Sequence, residues 1–265
     1  MRIINKKYKL IFSRFFWGVI LLLTTTYSIS ALEFKDQLSP GLELKYRHWN
    51  EKKQKITGYT VIKHKIINGE IVVMSENINK KDKVYSSKQL WFNIEKGQLI
   101  KYEETDYRTG LSVKDLFFEN NIKSYVKQKS EEKTFNIKLT DRLIPFEVID
   151  LSLQKKVVDI INNKKIALTL YLPLIAFELD AYHLPIALSK LEVVAKFKKI
   201  ETQKTLLGRK QCVWISVEPT SFFVKTLLPA EKTTFSFTFL AESPGYLLEL
   251  IQGDVKLQLD SVVMN

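Results

Sequence analysis

Few side chains in this chain have the type and spacing that chemistry needs. The histidines are His48, His64 and His183, and no two stand three or four residues apart or in an HExxH arrangement, so no helical turn offers a zinc pair. Cys212 is the single cysteine, which excludes an internal disulfide and a cysteine-based metal site. In Gln211-Cys212-Val213-Trp214-Ile215 strand alternation places it with Trp214 and Ser216, and no neighbouring histidine can activate it, so it reads as a packed, inert thiol. Ser221 has neither the flanking glycines of a nucleophile elbow nor a local base. The pairs Glu103-Glu104 and Glu131-Glu132 fall in charged hairpin sequence and read as solvated edges. No two glycines are close enough to cradle a phosphate. The residues therefore predict no enzyme, no metal and no cofactor, with a hydrolase as the least supported alternative.

The elements that would position any site are legible from the turns. Asn68-Gly69, Lys96-Gly97, Thr109-Gly110, Leu207-Gly208 and Gln252-Gly253 each separate two strand-like runs, as hairpin turns do. They predict strands near 42–49, 56–67, 70–78, 84–94, 98–107, 111–119, 122–129 and 134–139. A second set follows near 165–172, 189–204, 210–218, 233–240, 245–251 and 255–263. Phe235, Phe237 and Phe239 alternate with Thr234, Ser236 and Thr238, so one face of that strand is apolar and the other wet. The period changes once. Phe146, Ile149, Leu153, Val157 and Ile160 recur at helical spacing between Pro145 and Ile161, with Asn162-Asn163 able to end the run. The expected fold is mainly β: an antiparallel meander forming a curved sheet or half-barrel, with one central α-helix near 145–161 packed on it.

Arg2, Lys6, Lys7, Lys9 and Arg14 precede an apolar run from Phe15 to Leu23, and small residues Ser28, Ser30 and Ala31 follow. This is the layout of a secretory signal peptide over 1–31, cleaved near Ser30 or Ala31, with an uncleaved N-terminal anchor as the minority reading. Residues 32–265 then form a single β-rich domain in the periplasm. The formal net charge of +12 falls to +7 without the first thirty residues. The remaining lysines are interleaved with acids, as polar strand faces require, which argues against nucleic acid and leaves an anionic membrane surface as a possible partner.

The leader, the opening strand Leu42-Glu43-Leu44-Lys45-Tyr46, the hairpin meander and the helix start Pro145-Phe146-Glu147-Val148-Ile149-Asp150-Leu151-Ser152 together resemble an uncharacterised family of bacterial periplasmic proteins. That family, a domain of unknown function, is similar in shape to the lipoprotein-carrier half-barrels. The resemblance implies an open curved sheet with helical cover that can hold acyl chains, and it carries over no functional residue. Two segments of this chain are more apolar than a hairpin needs: Tyr171-Leu172-Pro173-Leu174-Ile175-Ala176-Phe177 and Phe222-Phe223-Val224-Lys225-Thr226-Leu227-Leu228-Pro229. With the phenylalanine face they make Phe235, Phe237, Phe239, Phe222, Phe223, Leu172 and Phe177 the candidate lining of a lipophilic groove. The leading expectation is a non-enzymatic carrier or binding module for a lipid or an acylated protein. The rival expectation is an envelope protein-protein assembly module with a fully packed core.

Overall fold

Strand β8 (Glu131–Lys138) is followed almost at once by β9 (Leu143–Pro145), yet the two lie at opposite edges of one fifteen-stranded sheet. Laid flat, fifteen strands would hold those edges about 65 Å apart. The chain from Lys138 to Leu143 reaches at most about 17 Å. The sheet must therefore roll until its edges approach, which makes an incomplete barrel whose β8 and β9 edges are not hydrogen-bonded to each other. The computed structural model describes residues 32–140, 142–181, 183, 185, 189–221 and 234–265. The leader expected over 1–31 and the groove candidates Phe222 and Phe223 lie outside these residues.

The first half is a plain meander of β1 (Leu42–Asn50), β2 (Lys55–Ile67), β3 (Glu70–Asn79), β4 (Val84–Asn93), β5 (Leu99–Asp106), β6 (Leu111–Phe117), β7 (Asn121–Gln128) and β8. The second half runs β10 (Lys165–Tyr171), β11 (Lys190–Thr205), β12 (Gly208–Pro219), β13 (Phe235–Leu240), β14 (Leu247–Gln252) and β15 (Val255–Met264). All neighbours pair antiparallel except β9 with β10, and β15 closes back on β1. The mainly β, curved antiparallel fold expected from the turns is the fold observed. β9 escapes sequence reading because Leu143-Ile144-Pro145 is too short to show alternation.

The expected single helix over 145–161 is a 3-10 turn, Phe146–Val148, followed by α1 (Ile149–Lys155) and α2 (Val157–Asn163). The hydrogen bonds run on across the break at Lys156, whose N–H reaches both Ser152 and Leu153 carbonyls. Its expected stripe faces the core, with Ile149, Leu153 and Ile160 buried. Lys164, with φ of 63°, turns the chain left-handed after Asn163, so the helix ends where the asparagines predict.

A further helix, α3 (Pro173–Ala181), occupies the segment read as a proline-broken apolar stretch. It packs on β7 at the far edge of the sheet. There Lys133 of β8 is 2.7 Å from Asp180 and lies over the Phe177 ring at 5.3 Å. Helix α3 therefore covers the seam that no ladder closes. At one end of the barrel, Leu32, Phe34 and Leu38 are buried; Phe34 N–H donates to the Gly97 carbonyl at 2.9 Å and its ring meets Phe92 edge-on at 5.9 Å. A Cβ at Gly97 (φ 65°) would collide with the backbone of Lys35, so that close approach requires glycine.

The apolar wall is a ladder of rings. Phe146 meets Phe235 at 5.5 Å, Phe235 meets Phe237 at 6.4 Å, and Phe237 stacks on Phe239 at 6.1 Å. Phe239 is fully buried and does not line the cavity described below. Replacing it, Phe239→Ala, is expected to cost about 3–5 kcal/mol of stability from lost burial and the void left behind, read as a lower denaturant midpoint with an unchanged slope. A loss under about 1 kcal/mol would mean the ladder is not part of the packed core.

Candidate ligand-binding site

Strand register decides what the barrel interior contains. His64, Val73, Leu90, Tyr102, Asp115, Ser124 and Phe135 are successive partners from β2 to β8, and all are buried. The adjacent inward row runs Leu44, Ile62, Ser75, Lys88, Glu104, Val113 and Val126. The wall opposite the phenylalanine ladder therefore carries a polar band: Ser75, Lys88, Glu104, Asp115 and Ser124. Glu104, expected on a solvated edge, points inward and pairs with Lys88 at 3.5 Å, whereas Glu103 faces out beside Lys101 and Lys114. Alternation forces this split, because neighbours on a strand face opposite sides.

Between the two walls lies a cavity of about 300 Å³. Phe235, Phe237, Leu250, Leu257 and Phe146 line one side, with Leu44, Ile62, Lys88 and Tyr102 on the other. Glu147 and Asp150 line it from the start of the helical segment. Of the groove candidates, Phe235 and Phe237 border the cavity. Phe239 is packed behind them, Leu172 packs half-buried against the core, and Phe177 belongs to the seam under Lys133. Sequence reading missed Lys88, Glu147 and Asp150. The signal was present: Lys88 shares the parity of Ser86, Leu90 and Phe92 on β4, and Asp115 that of Val113 and Phe117 on β6.

The acids in this interior are displaced from their ordinary behaviour. Burial pushes the Glu147 carboxyl up to about 8, the charge of Asp115 adds to the rise and Lys88 opposes it. Burial likewise pushes Asp115 up to about 7, tempered by the adjacent Ser124. Ser124 is close enough for that effect, yet neither Asp115 oxygen nor the Ser124 hydroxyl reaches hydrogen-bond geometry. Asp150 is raised by burial, against the backbone N–H groups of Leu151 and Asp150 that favour its charged form. The Tyr102 hydroxyl, itself raised by burial, donates to Glu104.

The imidazoles are tied up differently. His64 Nδ1 accepts the Ser39 backbone N–H at 3.2 Å, and burial lowers its pKa to about 4. His48 Nε2 lies 2.6 Å from Thr60 Oγ1, Thr60 donates to Asn77 Oδ1 at 2.6 Å, and Asn77 Nδ2 donates to Ser86 at 2.7 Å. One hydroxyl has one proton, so Thr60 accepts from His48 and cannot give its proton to it. A nucleophile–base pair needs the reverse direction. Cys212 is fully buried, burial raises its thiol pKa, and its Sγ–H donates to the Lys210 carbonyl at 3.3 Å.

The raised carboxyls have a consequence for stability. Asp115 and Glu147 stay protonated in the fold at pH values where they ionise in the unfolded chain, so their contribution is whole below about pH 4 and is lost as pH rises to about 8. His64 acts oppositely, its contribution being lost from pH 6.5 down to about 4. Between pH 6.5 and 8 only the carboxyl trend acts. Unfolding free energy is expected to drop by about 2 kcal/mol over that window, and Glu147→Gln to flatten most of the slope. A flat profile in the unaltered protein would contradict the burial of these acids.

No protein-family model matches the chain, and no curated protein matches it in sequence. Solved structures do match. A protein of YmcC-like fold from Bacteroides fragilis aligns over 87% of this chain and 99% of its own at 10% identity, with a TM-score of 0.34. A beta-barrel-like protein of the domain of unknown function DUF1849 from Brucella abortus aligns over 84% of this chain and 97% of its own, at 12% identity and a TM-score of 0.51. The chain thus shares its fold with a barrel-like domain of unknown function.

Proposed function

We propose that this protein is an exported, non-enzymatic binding or carrier module that holds a lipid-like ligand, or the acyl group of a partner, inside its incomplete barrel. One observation carries the reading: the cavity of about 300 Å³ has an apolar wall built on Phe235, Phe237 and Leu250 and a facing wall that bears Lys88. An amphiphile needs that combination, since its chain gains by leaving water while its head keeps polar partners. A packed core free of voids, which the rival assembly module would have, does not fit this interior. The basic n-region and short apolar run before Ala31 support export across a membrane, hence a place in the periplasm.

Mass spectrometry of gently purified protein is expected to find a co-purifying lipid. After delipidation, the neutral probe N-phenyl-1-naphthylamine is expected to bind saturably. Leu250→Trp, which pushes an indole into the cavity, should weaken that binding about tenfold or more while leaving the melting temperature within a few degrees. Absence of both lipid and saturable probe binding overturns the reading.

A further inference from the structure

The polar end of the cavity holds more acid groups than cations. Among the described lining residues Lys88 is the one ammonium. It is already held 3.5 Å from Glu104 Oε1, whose Oε2 accepts the Tyr102 hydroxyl. His64 brings no positive charge, because its Nδ1 is an acceptor for Ser39 N–H and the ring proton must sit on Nε2. Against this stand Glu147 and Asp150, three residues apart and so on one side of a helical turn, both facing the cavity. Glu147 Oε2 is buried with no hydrogen-bond partner. Asp115 is fully buried near Glu147, with both oxygens also unpartnered.

We propose that the polar end of this cavity receives a cationic head, of which a primary ammonium is the simplest, with Glu147 and Asp150 accepting its N–H groups and its alkyl chain lying along Phe235, Phe237 and Leu250. This rests on the cavity being the lipid-like site proposed above. The chemistry of the two ends selects the class. An ammonium has three donors and no acceptor, which answers the unpartnered Glu147 Oε2 and the neighbouring Asp150 carboxyl. A carboxylate or phosphate head would instead meet Glu147 and Asp150, while Lys88 is already paired with Glu104. A neutral hydroxyl satisfies one acceptor and leaves the others. The cation also favours the charged form of the acid it touches. Its arrival therefore displaces a proton from Glu147 into solvent at neutral pH, in a setting where Lys88, Glu104, Tyr102, Asp115 and Tyr171 are the groups whose charges reach Glu147 or share its burial.

Calorimetric titration of the purified, delipidated protein at pH 7 with dodecylamine, dodecanol and dodecanoate, all below micelle-forming concentrations, tests this. Dodecylamine is expected to bind at least about tenfold tighter than dodecanol, and dodecanoate about tenfold weaker than dodecanol. Amine binding should release protons, seen as a heat that changes with the ionisation enthalpy of the buffer. In the Glu147→Gln, Asp150→Asn double variant the amine should fall to within about threefold of dodecanol measured on the same variant, and the proton release should vanish. Dodecanol binding with no gain for the amine, a tightest fit for dodecanoate, or an undiminished amine preference in the variant each overturns the cationic head and leaves the cavity reading standing. Failure of all three probes to bind overturns both. Should the variant not fold, the order of the three probes and the proton release in the unaltered protein decide the matter.

Discussion

The short covalent tie between β8 and β9 governs this molecule. Two strands that the ladder places at opposite edges are joined by a few residues of chain, so the sheet has one way to satisfy both its hydrogen bonds and its connectivity, which is to roll. Rolling gives the sheet an inside, and the pleat then sends every second residue into it. The helical segment after β9 has to start at that seam. From there it runs along the interior, where Phe146 reaches the phenylalanine ladder and Glu147 and Asp150 reach the polar band.

That inside is not the interior a stability optimum would choose. A core of aliphatic and aromatic side chains needs no partners, whereas Asp115, Ser124, Tyr171 and Glu147 each leave a buried oxygen without a hydrogen bond. Each such group costs about 1–3 kcal/mol when left unmade. The burial that raises the pKa values of Asp115 and Glu147 is the same cost seen through protonation. Other buried polar atoms without partners lie elsewhere, at Arg47, Gln203 and Trp214, but of the four named here Glu147 lines the cavity itself.

Much of the fold was legible because its signals are local. Gly69, Gly97, Gly110, Gly208 and Gly253 take the positive φ their hairpins demand, and the runs between them are the strands expected. The stripe Ile149, Leu153 and Ile160 marked the helical segment for the same reason. What could not be read depends on partners distant in sequence. Helix α3 shows no clean stripe, since Leu174 and Ile175 are exposed while Ala176 and Phe177 are buried, and only the seam it covers explains its place. The inward side of Lys88 follows from its parity on β4, but its pairing with Glu104 emerges only when the register sets the two strands side by side. Cys212, by contrast, was readable as an inert strand thiol because no histidine lies near it in sequence, and it is fully buried.

Closure is also uneven around the barrel, and the seam is its weak line. Everywhere else neighbouring strands share a ladder, including β1 with β15, and parting them would break several backbone hydrogen bonds at once. Contacts at the seam include the Lys133–Asp180 pair, with Asp180 nearly half exposed, the Lys133–Phe177 contact, the packing of α3 on β7 and the buried side chains of the common apolar core. An exposed ion pair of this kind contributes only about 0–1 kcal/mol. Across the seam Ser124 lies close enough to Tyr171 to temper the rise that burial gives its hydroxyl pKa, although neither hydroxyl reaches hydrogen-bond geometry. The two edges are thus held by side-chain packing and not by a ladder, with buried Ala176 and Phe177 of α3 in the same apolar core as Phe135 and Ile137 of β8.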